Sequence, residues 1–402
     1  MRAQGVKRGV RTVEFSRGKL YITALHLSHG GAERMIVSTA NGFAARGYEV
    51  EIFCTYRLGE PAYRLSENVR VTYLTSDRPN RDKIRAAIQK KNPFLLFAEL
   101  VRAAGILSRK KRTMKRALSR VSEGVVLSTR HEHTLLLSKY GQKQVLKLGQ
   151  LHSDHGFDPR LMRSMRRGYK NVDLLPLFFD NVCGEVETFF AGVHRRPKLV
   201  TVPDFIEEPQ VDFSAEKLPK RLLAAGRLHP DKDFFSLLRI FRRVLAQHPD
   251  ATLAIAGEGE QEAALKAYAK ELGVDASVEF LGVLPYETLL SEMARSTAFA
   301  LTSKSESFAL VLVEAMACGT VPVAYDVRVG PRGILTDGKD GFLVPHGDEE
   351  AFCEKVSLLF SEEDRRKEME RFAQVSAPRF YKDAVMDRFV ALIEDGKKEK
   401  IC

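Results

Sequence analysis

Apolar residues fall into short runs separated by longer helical stripes, and this rhythm predicts the elements. Residues 20–27 form a near-continuous apolar run, read as a strand. Met35, Ile36, Ala40 and Phe43 then recur at helical spacing, one face of a helix turned to a core. Gly47 stops that helix, since a left-handed helix end favours glycine. Val50, Ile52 and Cys54 alternate on a second strand. Short strands are expected at 125–128, 144–148 and 173–177, and the basic segment 84–120 reads as helical.

The second half of the chain is more regular. Strands are predicted at 221–225, 251–256, 278–281, 298–302 and 321–325, with helices between them. One helix carries Phe234, Leu237, Leu238, Phe241, Val244 and Leu245 on a single face; another lies near 260–272. Strands alternating with helices imply a mostly parallel sheet, which binds ligands at the carboxyl ends of its strands. Residues 203–219 hold three prolines and several acids, and read as an interdomain linker. The last helices are expected at 348–360 and 378–394. The organisation is therefore α/β: a basic lead-in 1–18, a first domain 19–203, a linker 204–219, a second domain 220–375 and a closing segment 376–402.

The chain's 402 residues suit two domains, and 44% hydrophobic with 29% charged residues suits two packed cores. No run approaches the roughly 18 apolar residues of a membrane-spanning helix, and the lead-in lacks the apolar core of a secretory signal. The five cysteines, Cys54, Cys183, Cys318, Cys353 and Cys402, are widely spaced and show no zinc pattern; they suit a reducing, cytoplasmic compartment.

The net charge of +11 admits nucleic acid, an anionic membrane face or phosphorylated substrates as partners. Arg102, Arg109, Lys110, Lys111, Arg112, Lys115, Arg116 and Arg120 form a cluster without an acid, interleaved with Leu107, Met114 and Leu118. Such a segment either docks on an anionic membrane at its inner face or is a solvated helix surface. It has no aromatic interleaving and no nucleic-acid motif, so nucleic acid is set aside.

Three loops carry candidate chemistry. Gly30 and Gly31 sit where the first strand turns into a helix, a place for a phosphate or sugar oxygen or a plain tight turn. Arg227 and Lys232 follow the strand 221–225 and suit a diphosphate. Asp231 and Asp233 match a metal-binding D-x-D, but they open a helix whose dipole stabilises acids, so no metal is expected. Glu306 lies in the loop after the strand 298–302, and Glu314 is the lone charge in the apolar run from Phe308 to Cys318. Burying it costs several kcal/mol unless a cleft or a partner serves it. The backbone N–H groups of Phe308, Ala309 and Leu310 offer a second anion site at the start of that helix.

In order and spacing, Gly30-Gly31-Ala32-Glu33-Arg34, Gly226-Arg227-Leu228 with Lys232, Glu306-x7-Glu314, Gly319, Pro322, Gly330-Pro331 and Asp340-Gly341-Phe342-Leu343-Val344-Pro345 resemble glycosyltransferase family 4. The resemblance implies a GT-B fold: two Rossmann-like domains with the active site between them. It implies an acceptor-binding first domain, a nucleotide-sugar-binding second domain and a final helix that crosses back onto the first. Retention of anomeric configuration and no metal or cofactor are implied as well. Arg227 and Lys232 would hold the donor diphosphate, Glu314 the ribose hydroxyls and Glu306 the donor sugar; Gly30 and Gly31 would line the phosphate and acceptor side. The family's histidine after a first-domain strand falls on His152, with His155 as competitor and a structural histidine as the alternative. Two positions depart from the pattern. Ala309 stands where the family has glycine, and Gly333 stands where it has glutamate, so that a donor contact is lost or replaced by Arg332. The stretch from Tyr325-Asp326 to Gly330-Pro331 also resembles enzymes that glucosylate cell-wall polyol phosphates or build capsular polysaccharide. The expected function is hexose transfer from a nucleotide sugar, with UDP favoured, to a glycan, polyol-phosphate or lipid-linked acceptor. The alternatives are a nucleotide-sugar epimerase, which needs no acceptor, and a phosphorylase, which needs a lysine-bound pyridoxal.

Overall fold

The computed structural model describes residues 17–28, 30–151, 156, 158–210 and 216–401. The basic lead-in up to residue 16, His29, and both His152 and His155 lie outside the described residues.

The first half runs β1 (Lys19–Ala24), α1 (Gly31–Ala45), β2 (Glu49–Tyr56), β3 (Val69–Thr75), α2 (Arg81–Gln89), α3 (Pro93–Arg120), β4 (Val125–Ser128), α4 (His131–Tyr140), β5 (Leu146–Gly149), α5 (Pro159–Gly168), β6 (Leu174–Leu177), α6 (Asp180–Phe189) and β7 (Lys198–Thr201). These strands form a seven-stranded sheet in the order β3-β2-β1-β4-β5-β6-β7. The second half runs β8 (Arg221–Ala225), α7 (Phe234–Gln247), β9 (Thr252–Ala256), α8 (Glu262–Glu271), β10 (Val278–Gly282), α9 (Tyr286–Ala294), β11 (Ala298–Leu301), α10 (Leu310–Ala317), β12 (Val321–Asp326), α11 (Pro331–Ile334) and β13 (Phe342–Pro345). Its six-stranded sheet has the order β10-β9-β8-β11-β12-β13. α12 (Glu349–Ser361), α13 (Glu363–Ser376) and α14 (Lys382–Ile401) close the chain. Every strand pairing in both sheets is parallel, as in β1 with β2 and β8 with β9.

Helices cover both faces of each sheet, so the inner strands are buried on both sides and read as apolar runs rather than alternations. β4, β6 and β11 are buried at every position. The first strand stops at Ala24; residues 25–27 leave the sheet to form the loop that leads to Gly30. The helical segment 84–120 is two helices. Lys91 turns the chain with a left-handed φ of 49°, and Asn92 caps α3 by accepting from the Leu95 N–H at 3.0 Å.

The start of the proline-bearing segment is packed rather than loose. Phe205 and Ile206 are buried, the Ile206 N–H donates to the Phe380 carbonyl, and the Lys382 N–H donates to the Ile206 carbonyl. α14 lies on the first half, with Val385, Met386, Phe389 and Ile393 in the core that holds α1 and β1. Phe389 meets Phe43 at 5.2 Å, and Arg46 pairs with both Asp383 and Asp387. Another apolar cluster spans the two halves, joining Phe178 and Phe179 to Phe308, Leu312 and Phe380.

His133, on α4, is buried, with its Nδ1 3.1 Å from the Thr23 hydroxyl. Burial holds its pKa down, to about 3 from an ordinary 6.5. A depressed histidine favours folding fully above its unfolded value, and that contribution is lost as pH falls from 6.5 towards 3. His133→Gln should therefore flatten the fall in Tm across that acid range. A variant curve as steep as the parent's would show that other groups control acid unfolding.

Candidate active site

Both sheets reverse direction of growth at one point, and there the loops part to leave a crevice at the carboxyl edge. In the second half, β8 leads through α7 to β9 on one side, while β11 leads through α10 to β12 on the other. The loops after β8 and β11 therefore flank the crevice. They are the loops that carry Arg227 with Lys232, and Glu306.

The two loops are tied together. The Thr302 hydroxyl donates to the carbonyl oxygens of Lys232 and Asp233 at 3.1 and 3.2 Å. The Lys304 N–H donates to the Asp231 carbonyl at 2.8 Å. Lys232 Nζ then lies 2.5 Å from Glu306 Oε1, in a pair whose side chains are 26% and 9% exposed. Asp231 faces His229 at 3.1 Å and Asp233 lies 3.6 Å from Lys304, so each acid of the D-x-D has a basic neighbour. Among the described residues, no group of three or more His, Cys, Asp or Glu side chains is placed to hold a metal ion.

Beside the pair, Gly226 and Arg227 open onto a cleft of about 730 Å³, with Gly257, Glu258, Val283 and Leu284 on its other walls. Glycine is required there. A Cβ on Gly257 would stand 2.0 Å from the Gly226 carbonyl oxygen, and one on Gly259 2.3 Å from that of Leu228. The loop after β9 thus rests on the loop after β8 with no room for side chains.

α10 starts at Leu310, with Ala309 as its cap in a left-handed conformation at φ 74°. That conformation explains the glycine of the family pattern: a Cβ there meets the following carbonyl, at a cost of about 1–2 kcal/mol. Ala309→Gly should stabilise the protein by about 1 kcal/mol, raising Tm by about 2 °C, since glycine's greater unfolded-state freedom offsets part of the relief. A lower Tm would show that the strain is relieved elsewhere. The Phe308 ring is buried and stacks on Phe179 of the first half, centroids 5.0 Å apart and 6° from parallel.

Glu314 lies one turn into α10 and is 6% exposed. Its partner comes from across the crevice: Arg34 Nη1 of α1, at 4.0 Å. The same guanidinium lies over the Tyr286 ring at 4.6 Å. Burial raises the pKa of Glu314, while the Arg34 charge and Tyr286 act the other way. Burial and the Glu314 charge push the Tyr286 hydroxyl up. Gly30 and Gly31 sit at the N-terminus of α1, one turn before Arg34. The Tyr63 hydroxyl donates to the Gly30 carbonyl at 3.2 Å; a Cβ on Gly31 would meet nothing within 4 Å, whereas one on Gly30 would stand 2.1 Å from the Glu33 carboxylate, so the turn is open at Gly31 and filled by Glu33 at Gly30. Gly333 is fixed by Phe179, because a Cβ there would stand 2.3 Å from that ring. Arg332 is held by Asp326 through two hydrogen bonds of 2.9 Å.

The structure thus brings Arg227, Lys232, Glu306, Ala309, Leu310 and Glu314 to one crevice, with Gly30 and Gly31 on the facing wall; His152 is not among the described residues. Arg34, Tyr286 and Phe179 were missed by sequence reasoning. The Phe178-Phe179 pair directly after β6 carried a usable signal, two large aromatics at the carboxyl end of a strand. Arg34 stood in the Gly30-Gly31-Ala32-Glu33-Arg34 motif without a role, and Tyr286 carried no signal, because the contacts of both depend on the meeting of two halves.

Comparison with known proteins agrees with this geometry. Residues 206–375 match the family model described as Glycosyl transferases group 1. An exopolysaccharide phosphotransferase of Streptomyces coelicolor is 27% identical over 91% of this chain, but the chain spans only 39% of that protein's length. A Campylobacter jejuni enzyme, an α-1,4-N-acetyl-D-galactosaminyltransferase named for a diphospho-undecaprenol-linked glycan, is 26% identical, over 92% of this chain and 97% of its own. Among solved structures, a lipopolysaccharide outer core galactosyltransferase superposes with a TM-score of 0.72 at 18% identity, covering 94% of this chain and 99% of that one. An Anabaena protein in complex with UDP superposes with a TM-score of 0.70 at 16% identity, covering 94% and 100%. Residues 206–375 carry the group 1 glycosyl transferase pattern, and the chain as a whole has the GT-B fold of the solved glycosyltransferases it resembles.

Proposed function

We propose that the chain transfers a hexose-type sugar, with retention and without a metal, from a nucleotide sugar to a glycan, polyol-phosphate or lipid-linked acceptor. UDP is the favoured nucleotide, and the setting is cell-surface polysaccharide synthesis at the cytoplasmic face of the membrane. The observation that carries this reading is the Lys232–Glu306 pair at the switch point of the second sheet, with Glu314 of the following helix paired to Arg34 of the first half.

The cleft beside Gly226 takes the nucleoside, with Val283 and Leu284 as an apolar wall and backbone exposed at the glycines. Arg227 and Lys232 hold the diphosphate, together with the N–H groups at the start of α10. Glu314 accepts from the ribose hydroxyls and Glu306 contacts the sugar. In the transfer step the bond from the anomeric carbon to the diphosphate oxygen breaks and a bond to the acceptor oxygen forms on the same face. The acceptor's proton passes to the departing phosphate. Charge grows on the diphosphate as this happens, and each preorganised donor to it is worth roughly 10²–10³ in rate. His152, the histidine that the resemblance assigns to catalysis, lies outside the described residues.

The relatives' names support a glycan or lipid-linked acceptor, and the basic segment 102–120 suits approach to an anionic membrane. The phosphotransferase name is not carried over, because the chain spans little more than a third of that protein. The test is a screen of UDP-, GDP- and ADP-sugars for slow donor hydrolysis and thermal stabilisation, with EDTA present. Hydrolysis and stabilisation by one donor are expected. Turnover that requires an added divalent cation would overturn the metal-free part. Conversion of the donor sugar to its epimer without transfer would overturn the transferase part.

A further inference from the structure

Most of the large apolar side chains left exposed among the described residues lie within one stretch. Ile88 ends α2, and Phe94, Leu95, Phe97, Leu100, Val101 and Leu107 follow on α3. Phe94 is 87% exposed and Phe97 69%, values far from those of core residues. A contiguous surface of this kind marks an interaction site.

The outward stripe of α3 changes character along its length. At helical spacing it reads Phe97, Val101, Ala104 and Ser108, then Lys111, Arg112 and Lys115. Across 81–120 there are 13 lysines and arginines against two acids, Asp82 and Glu99. Glu99 is buried, accepts from Asn80 and pairs with Arg102 at 3.2 Å, so it offsets one charge near the middle of α3 and leaves Lys111, Arg112 and Lys115 uncompensated by it. Lys110, by contrast, turns inward and pairs with Glu132 at 2.5 Å, so it is no part of the outer stripe. A second copy of this chain would bring the same positive charge against itself. An anionic lipid surface supplies both an apolar interior for the phenylalanines and negative headgroups for the flanking lysines and arginines.

The position of α3 relates this surface to the crevice. With 28 residues it is about 42 Å long, against about 26 Å for the eight-residue β2 on which it packs. Its C-terminal end feeds β4 through residues 121–124, at the amino edge of the sheet. Its Phe94 end therefore reaches past the carboxyl edge, the edge that carries Gly30 and Gly31.

The geometry points to a membrane-insertion surface: Phe94, Phe97, Leu100 and Val101, with Ile88 beside them, enter the apolar layer of an anionic bilayer while Lys111, Arg112 and Lys115 bind its headgroups. This deepens the transferase reading, in that the crevice then opens towards a lipid-borne acceptor. The full chain is tested by co-sedimentation with phosphatidylcholine vesicles with and without phosphatidylglycerol. Binding to the phosphatidylglycerol vesicles is expected to weaken with salt. It is expected to fall about tenfold or more in a Phe94→Asp/Phe97→Asp variant and in a Lys111→Glu/Arg112→Glu/Lys115→Glu variant. Thermal unfolding and donor hydrolysis in solution should stay near the parent's level in both variants, since Phe94, Phe97, Lys111, Arg112 and Lys115 are exposed and the triple variant gives up only the surface contact of Lys115 with the Tyr140 ring. Unchanged vesicle binding in the Phe94→Asp/Phe97→Asp variant would overturn the proposal. So would light scattering in which that variant converts a dimer to a monomer, because a second copy would then cover the face. Absence of donor hydrolysis in the parent protein would count against the transferase reading alone and leave the vesicle result standing.

Discussion

Lys232→Ala should lower turnover by roughly 10²–10³-fold, the worth of one preorganised donor to a departing diphosphate. The lysine has two tasks in this structure, and they can be separated. It pairs with Glu306 at 2.5 Å, and it points into the crevice between the loops after β8 and β11. Removing the lysine alone leaves a carboxylate with little solvent, so some stability is lost as well. Glu306→Gln removes that charge. In the Lys232→Ala/Glu306→Gln variant, Tm should recover while turnover stays low. Recovery of both would mean that the pair is structural and that the donor diphosphate is held elsewhere.

Gly333→Glu restores the residue of the family pattern, yet it should inactivate this chain. The new Cβ would stand 2.3 Å from the Phe179 ring, which stacks on Phe308 and is buried in the seam between the halves. The ring cannot move without opening that seam. Overpacking of this kind costs about 1–3 kcal/mol, and the added carboxylate raises the cost. Because Phe308 precedes the cap of α10, the disturbance reaches the helix N-terminus assigned to the diphosphate. Tm and turnover should fall together. Phe179→Ala in the same chain makes room, and the double variant should regain Tm over Gly333→Glu alone. A Gly333→Glu protein with parental Tm would show that the seam is looser than the ring stack implies. Phe179 and Gly333 thus form a matched pair, and the departure from the family pattern has a steric cause.

Parts of the fold were legible and parts were not, for physical reasons. β8, β9, β11 and β12 are buried on both faces, so each appears as an apolar run stopped by a turn. β3 was missed because it is an edge strand: Val69, Val71 and Tyr73 alternate with polar residues, and most of its positions are only half buried. β7, at the opposite edge, has an exposed lysine at its start. The break between α2 and α3 depends on Lys91 adopting a left-handed turn, which periodicity does not encode. α13 is dense in charge and buries only Met369 and Ala373, so it has almost no apolar stripe. At the site, the glycines and the charged residues after strands were readable, because backbone crowding and strand ends restrict residue type. The contacts of Arg34 and Tyr286 were not, since each acts on a residue of the other half, and the signal of Phe179 was limited to its place after β6.

The central claim is that the crevice between β8 and β11 holds a nucleoside diphosphate through Arg227 and Lys232. Calorimetric titration of UDP, GDP and ADP into the parent protein and an Arg227→Ala/Lys232→Ala variant, in EDTA, tests it most directly. One nucleotide should bind the parent protein, and its affinity should fall at least about a hundredfold in the variant, two charge-assisted contacts at roughly 1.5–3 kcal/mol each. Equal affinity in parent and variant would contradict the assignment.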